Sequence, residues 1–463
     1  MLTSHILPIP FPGDDVRRVA VFGLGLAGAS AARALIAREI EVVLSDDAIT
    51  DEHHRLAHEL GCTLVQTTTH SELVSFLDGM DVLIPAPGVA PHHRVILEAL
   101  ARGVSVRTEI DIAYEWEQQR SGGPRPILGV TGTDGKTTTT MITAELLRAG
   151  GRSVGEVGNT DLPFMAAIDQ PFDAFVVECS SFRLQFTDVF RCDASVWLNL
   201  APDHLDWHGS IEKYAEAKRR LWAYSRPSDV VIAPANNELI LETAQATSSR
   251  CVTFGLEVGD YRASSGSLIT PHGEICSVEQ LWRALPHDIT NSLAAAALVI
   301  ESGLSSVGDV AEPLHNFESA HHRIELVGHF DGSAWYDDSK ATSPHAALTA
   351  IRSFEHIVLI AGGRNKDLDL AQMATEPKRM VGVVAIGDDA DAIRRAFEGV
   401  CPVREATSMD EAVVFAHGLV TNGTTVLLSP GCTSYDWYSN YNERGDDFQD
   451  KVRKYFSRTE SSS

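Results

Sequence analysis

The chain has 463 residues, 44% hydrophobic and 22% charged, with a formal net charge of −25. That length exceeds one ordinary core and points to several globular domains, and the acidic balance argues against nucleic acid or an anionic membrane as the main partner. No run of about twenty apolar residues suggests a membrane span.

The N-terminal stretch "MLTSHILPIPFPGDD" lacks the basic start and apolar run of an export signal. Seven scattered cysteines without a C-x-x-C pair fit reduced thiols, so a cytoplasmic location is expected. The next hundred residues alternate between strand and helix signals. "RRVAVFGLG" is an apolar run ending in glycines, "LAGASAARALIARE" is an alanine-rich helix, and "EVVLSDD" is a second buried strand. A helix is expected over Asp51–Leu60, followed by strands in "CTLVQT" and "DVLIPAPGV". This alternation predicts a parallel sheet with crossover helices. The polar, Gly/Pro-rich "QQRSGGPRP" (Gln118–Pro126) reads as a linker.

A second α/β unit follows: the strand "PILGVTG", a glycine-rich turn, and a helix "KTTTTMITAELLRAGG" that ends at paired glycines. "DAFVVECSS" and "DASVWLNL" are further buried strands, and "PHDITNSLAAAALVIESG" is a clear helix. "FESAHHRIELVGHFDGSAWYDDS" reads as a hairpin opening a third unit, which continues through "HIVLIAGG", "MVGVVAIG" and "TTVLLSPG".

The richest chemical signal is "GVTGTDGKTTTTM", Gly129 to Met141. A strand feeding glycines into a helix gathers backbone N–H groups and a helix N-terminus around one point, which makes an anion site. Lys136 offers a mobile charge to the outer phosphates, and the Thr137 hydroxyl is a magnesium ligand candidate. The spacing departs from a Walker loop, because Val130 stands where the first glycine belongs. Glu178 ends the next apolar strand, where a carboxylate can hold magnesium. "VFGLGLAG" places Gly23, Gly25 and Gly28 between strand and helix, with Asp46 about twenty residues on, a dinucleotide fingerprint on pattern alone. A nicotinamide dehydrogenase is therefore a competing reading, though it gives the GKT loop no task. His204, Asp206, His208 and Lys218 have metal-like spacing, although Asp206 and His208 read equally well as loop residues. The histidines of "HNFESAHHRIE" look metal-like too, but read as a solvated interdomain segment. "DDSKATSPHAAL" opens a helix after a hydrophilic turn, with Asp338 and Lys340 in reach of a ribose or phosphate.

Taken in order, "GVTGTDGKTTT", "ECSSFRL", "LNLAPDHLDWHGSIEKYAEAKRR", "HRIE", "DDSKAT", "AGGRNK" and "LLSPGCTSYDWYSNYNERGDDF" resemble the Mur ligase family, most closely its glutamate-adding members. The resemblance implies a three-domain α/β fold: a Rossmann-like UDP-binding domain (1–121), a central P-loop ATPase-like domain (122–321) and a C-terminal Rossmann-like α/β domain (322–463). It implies a cytoplasmic, monomeric ligase, without nucleic acid or membrane partners, that adds D-glutamate to UDP-N-acetylmuramoyl-L-alanine at the expense of ATP. L-glutamate use, or another amino-acid ligase of the family, is the alternative. Gly132, Thr133, Asp134, Gly135, Lys136, Thr137, Thr138, Asn291, Arg323, Asp338 and Lys340 would bind ATP. Gly25, Asp46, Gly88, Asn159 and His204 would bind the UDP precursor, and Thr342, Lys366, Ser434 and Tyr441 the glutamate. Thr137, Glu178, His204 and a carbamylated Lys218 would hold magnesium, two ions in all, and Lys136, His204 and Lys218 would be catalytic.

Four positions depart from the family pattern. Asp134 replaces an asparagine, Ala48 replaces a basic residue, Tyr441 replaces a phenylalanine, and "YDWY" replaces a plainer stretch. Asp134 is expected to point away from phosphate or to reach magnesium through water. Tyr441 and Trp437 bear on which glutamate enantiomer fits.

Overall fold

A computed structural model describes residues 16–460, apart from Asp367, Asn422 and the side chains of Asp206 and residues 458–460. The N-terminal stretch read for export lies outside the described residues. Three sheets carry the fold. The first joins β1 (Arg18–Phe22), β2 (Glu41–Ser45), β3 (Thr63–Leu64), β4 (Val82–Pro85) and β5 (Ser105–Val106) in the order β3-β2-β1-β4-β5, all parallel. The expected alternation of strand and helix is observed, including a helix at Asp51–Leu60.

The second sheet contains β6 (Ile127–Thr131), β7 (Val154–Gly158), β8 (Ala174–Glu178), β9 (Ala194–Trp197), β10 (Val230–Pro234), β11 (Arg250–Gly255), β12 (Tyr261–Ser264), β13 (Ser267–Thr270) and β14 (Gly273–Ser277). Its order is β14-β13-β12-β11-β10-β9-β6-β8-β7, and only the β12–β13–β14 edge is antiparallel. β6 is central and buried along its length, so Leu128 and Val130 pack into the core and fix where the chain leaves the sheet. The third sheet holds β15 (Glu325–Phe330), β16 (Ser333–Asp337), β17 (Ile357–Gly362), β18 (Met380–Ile386), β19 (Val403–Glu405) and β20 (Thr425–Gly431). Its order is β15-β16-β20-β17-β18-β19, with the expected hairpin of β15 and β16 at one edge.

By contacts, the chain divides into two compact units. Residues through Leu200, with Glu212–Ala284 and Asp288–Phe317, hold the first two sheets; Ala201–Ile211, Leu285–His287 and the chain from Glu318 hold the third. The segment read as a linker is not a loose tether. The helix Glu109–Gln118 leads into it, and Arg125 donates to both carboxylate oxygens of Glu117 and to the carbonyls of Ile168 and Gln170. Arg183 pairs with Glu109, and Asp111 accepts the amides of Asp188, Val189 and Phe190. Buried charges persist only when paired and hydrogen-bonded, and here each has its partners. Among the described residues, no helix is long and apolar enough to cross a membrane.

Candidate active site

The strand β6 delivers Thr131 to a turn over residues 132–135, and the helix Lys136–Ala149 starts immediately after it. Gly135 caps that helix with φ +81°, a left-handed conformation that favours glycine. A Cβ there would also stand 2.6 Å from Asn291 Oδ1, so the bare backbone is what lets Asn291, on the helix Pro286–Glu301, lie against the loop.

Two lysines converge on this turn. Lys136 Nζ donates to the carbonyls of Gly132 (2.9 Å) and Thr133 (2.7 Å). Lys218 Nζ, from the helix Ile211–Arg219, donates to the same Gly132 carbonyl at 2.7 Å. Lys218 is 1% exposed and lies over the Tyr214 ring, whose hydroxyl reaches Thr133 Oγ1 at 3.4 Å. A buried ammonium is costly unless hydrogen-bonded, which makes Lys218 a group held for the loop rather than a surface residue.

Glu178 pairs with Val130 in the β6–β8 register, which sets its carboxylate beside the start of the loop. Its Oε1 accepts from Asn159 Nδ2 at 3.0 Å, and its main-chain oxygen accepts the Asn159 amide. Its Oε2 is buried without a hydrogen-bond partner among the described residues. An orphaned, 2% exposed carboxylate oxygen near a phosphate-type loop fits a hard divalent cation, and the Thr137 hydroxyl at the first turn of the helix is of the same donor class.

Asn199 was not singled out from the sequence. Its Oδ1 accepts the amides of Thr133 and Asp134, both at 2.9 Å, and its Nδ2 donates to the Asp134 carbonyl at 3.1 Å. One asparagine side chain thus holds the turn through its backbone at the position where the sequence departs from pattern. Thr138 is buried in the same first turn of the helix.

At the first sheet, Asp46 Oδ2 accepts the Leu24 amide at 2.7 Å and its Oδ1 accepts that of Ala48. The acidic residue therefore braces the β1 turn that ends at Gly25, the N-cap of the helix Leu26–Ile36. A Cβ on Gly23 would meet that of Ala86, so the turns after β1 and β4 run side by side, and the exposed Gly88 follows in the second. The strand order reverses at β1, between β2 and β4, which is where open parallel sheets bind ligands.

The second unit gathers the other expected residues. Asp338 is buried, accepts from Ser429 Oγ (2.7 Å) and from the Ile324 amide, and is pushed up to about 7 by burial, with the Ser429 bond and Arg323 pulling the other way. Lys340 Nζ donates to the Tyr441 hydroxyl at 2.9 Å. Thr342 follows in the same turn, with its amide on the Lys340 carbonyl, and Ser343 caps the helix Pro344–Ile351. Arg444 is buried and donates to Ser339 Oγ, the Ser339 carbonyl and the Cys432 carbonyl, tying this turn to the loop of Ser434. Trp437 packs against the apolar cluster around Trp335 and Phe448. His204 adopts φ +52°, donates its amide to Asp203 Oδ1, and sets Nε2 3.3 Å from Asp203 Oδ2. Lys366 Nζ stands 3.7 Å from Asp203 Oδ1, which brings two expected site residues to one carboxylate.

The histidine-rich segment corrects the sequence reading. His321 is exposed as expected, but His322 is 4% exposed and bonds through Nδ1 to the buried Asp337 at 2.7 Å. The ring packs against the backbone of the C-terminal helix Tyr441–Glu460 at Gly445 and bonds to Asp337 on β16, and no local signal announces either.

Family models match three stretches: the Mur ligase MurD-like N-terminal domain at residues 17–108, the Mur ligase middle domain at 130–299, and the Mur ligase glutamate ligase domain at 322–432. A UDP-N-acetylmuramoylalanine--D-glutamate ligase of Frankia casuarinae is 36% identical over 449 residues, covering 94% of this chain and 93% of the relative. The chain belongs to the Mur ligase family. A ligase of the same name from Streptomyces coelicolor is 34% identical, over 97% of this chain and 99% of its own. Among solved Mur ligases, MurF from Thermotoga maritima in complex with ADP shares the fold with a TM-score of 0.59 at 17% identity, covering 96% of this chain and 99% of that one. MurC from the same organism gives 0.57 at 20% identity, over 96% and 100%.

Proposed function

We propose that this Mur ligase joins D-glutamate to UDP-N-acetylmuramoyl-L-alanine, with ATP hydrolysed to ADP and phosphate. The observation that carries the reading is the convergence of Lys136 and Lys218 on the Gly132 carbonyl beside the orphaned Glu178 carboxylate oxygen. Near-full-length likeness to ligases of that name supports the choice of substrates.

A carboxylate is a poor electrophile, so ATP first phosphorylates the alanyl carboxylate, and the glutamate amine then displaces phosphate from the acyl phosphate to form an amide. Loop amides and the N-terminus of the helix Lys136–Ala149 bind the phosphates, and Lys136 follows the transferred group as a point charge. The loop's contacts to Asn199, Tyr214 and Lys218 hold these donors in place before charge develops, which is the main source of rate in such reactions. Magnesium held by Thr137 and Glu178 would offset the repulsion between ATP and the substrate carboxylate. His204 and a carbamylated Lys218 are assigned to a second ion.

Gly25, Asp46, Gly88 and Asn159 are assigned to the UDP precursor, and Asn291, Arg323, Asp338 and Lys340 to the nucleotide. Thr342, Lys366, Ser434 and Tyr441 are assigned to glutamate. Domains of 1–121, 122–321 and 322–463, a monomer, and a cytoplasmic location without nucleic acid or membrane partners complete the proposal.

The test combines the protein with ATP, magnesium, UDP-N-acetylmuramoyl-L-alanine and either glutamate enantiomer. Phosphate release with D-glutamate, with the amide product found by mass, is the expected result. Release with L-glutamate alone would correct the stereochemistry, and no release with either would overturn the reading.

A further inference from the structure

We infer that His322 is a positioning residue for the nucleotide, acting as a pin that holds Arg323 and Lys340 through the backbone. This rests on the ligase reading, which assigns those two cations to ATP. His322 and Ile324 both adopt left-handed backbone conformations, with φ +60° and +48°, and Arg323 lies between them. Such conformations are strained for residues with a Cβ, most of all a β-branched one, and persist only where surrounding contacts over-determine them.

Four contacts do so here. His322 Nδ1 bonds to Asp337 Oδ2, the His322 amide to Glu325 Oε2 at 2.9 Å, and the Ile324 amide to Asp338 Oδ1 at 3.3 Å. The fourth joins the two cation-bearing segments directly, because the Lys340 amide donates to the His322 carbonyl at 3.2 Å. The imidazole reaches into the fold at the base of the kink, beside the Ile324 side chain buried in the core, so moving it bears on both segments.

The C-terminal helix is shaped to receive the ring. A Cβ on Gly445 would come 2.1 Å from His322 Nδ1, so the imidazole lies directly on the helix backbone. One turn on, Gln449 Nε2 donates to the same Asp337 oxygen at 2.9 Å, and Asp446 Oδ1 stands 3.7 Å from His322 Nε2. The groups facing the ring are therefore Asp337 from β16, Glu325 from β15, Asp446 from the helix and the neighbouring His321, with Arg444 close to Asp337. The bond to Asp337 holds the imidazole's pKa above its ordinary range against the effect of burial, and the Asp337, Asp446 and Glu325 charges add to it. These neighbours favour the protonated ring.

Two full-length variants test this. Gly445→Ala leaves His322 in the chain but denies it its seat; His322→Asn removes the charge while keeping a polar group. ADP–magnesium affinity is measured by calorimetry from pH 6 to 9, and His322 is followed by NMR of histidine-labelled protein. The parent is expected to bind ADP more weakly as pH rises through the His322 titration, whereas His322→Asn binds with no such dependence. Gly445→Ala is expected to return the His322 titration to the ordinary imidazole range, and both variants to bind ADP about tenfold more weakly and to raise KM for ATP about tenfold at pH 7, with kcat changed less than about threefold. ADP affinities within about twofold of the parent in both variants, or an unchanged pH dependence in His322→Asn, would overturn the inference, whatever the loss in melting temperature. A parent that binds ADP but forms no amide would instead overturn the ligase reading and leave this one standing.

Discussion

Lys218 Nζ lies 2.7 Å from the Gly132 carbonyl, the same oxygen that receives Lys136, although Lys218 is 86 positions from Gly132 along the chain and Lys136 only 4. Both lysine nitrogens meet at one backbone oxygen of the loop, so Lys218, carbamylated or not, is fixed at the turn that precedes the helix Lys136–Ala149.

Removing one of them tests that arrangement. Lys218→Ala is expected to lower turnover by about a hundredfold or more, the scale of losing one preorganised electrostatic contact. Lys218→Met, which keeps the volume, separates this from packing. Phosphate release at saturating substrates is the measurement, and near-normal rates in both variants would show the lysine to be dispensable.

Asn199→Ala would leave the amides of Thr133 and Asp134 without their shared acceptor. The Thr133 amide keeps the Asn199 carbonyl at 3.2 Å, so the loss of the side-chain brace is worth about 1 kcal/mol, and a slightly lower melting temperature and a raised KM for ATP are expected together. A change in stability with KM for ATP unmoved would show that the asparagine supports the fold and not the loop's function.

Tyr441→Phe removes the hydroxyl that receives Lys340 at 2.9 Å. A hydrogen bond from a charged ammonium, worth about 1.5–3 kcal/mol, predicts a roughly ten- to hundredfold loss in kcat/KM. Because the ring stays in place, preference for D- over L-glutamate should hold. Steady-state kinetics with both enantiomers checks it, and a switch in preference would make the hydroxyl a stereochemical determinant.

Asp338 gives a pH dependence of stability. Burial raises its carboxyl from 3.8 to about 7 in the folded protein, so between those values the folded state keeps a proton that the unfolded chain has released. Its contribution is fully present below the unfolded value and is lost as pH rises through the folded one. Denaturant unfolding of the parent should therefore show falling stability between about pH 4 and 7 relative to Asp338→Asn. Parallel curves for the two proteins would rule out the raised carboxyl.

Much of this was legible in the sequence for physical reasons. β6, its glycines and GKT state a strand, a turn and a helix start within fifteen consecutive residues, and period and turn chemistry act locally. Glu178 was readable because it ends an apolar strand. Asn199 and His322 were not, since their meaning lies in partners set by register and tertiary packing: the loop amides for one, Asp337 and Gly445 for the other. The anchoring of the segment read as a linker was hidden for the same reason. Its glycines signal a turn, and they do so correctly at Gly122 and Gly123, but nothing beside Arg125 tells that Glu117 waits for it.

The acids of the helix Glu109–Gln118 also bear on how this polypeptide can be divided. A fragment ending at Ser121 would carry Glu109, Asp111 and Glu117 away from Arg183, the amides of residues 188–190 and Arg125. Breaking buried ion pairs by removing one partner costs about 3–5 kcal/mol each. Cut there, the gene would yield two complementary halves that must find each other, not two autonomous modules.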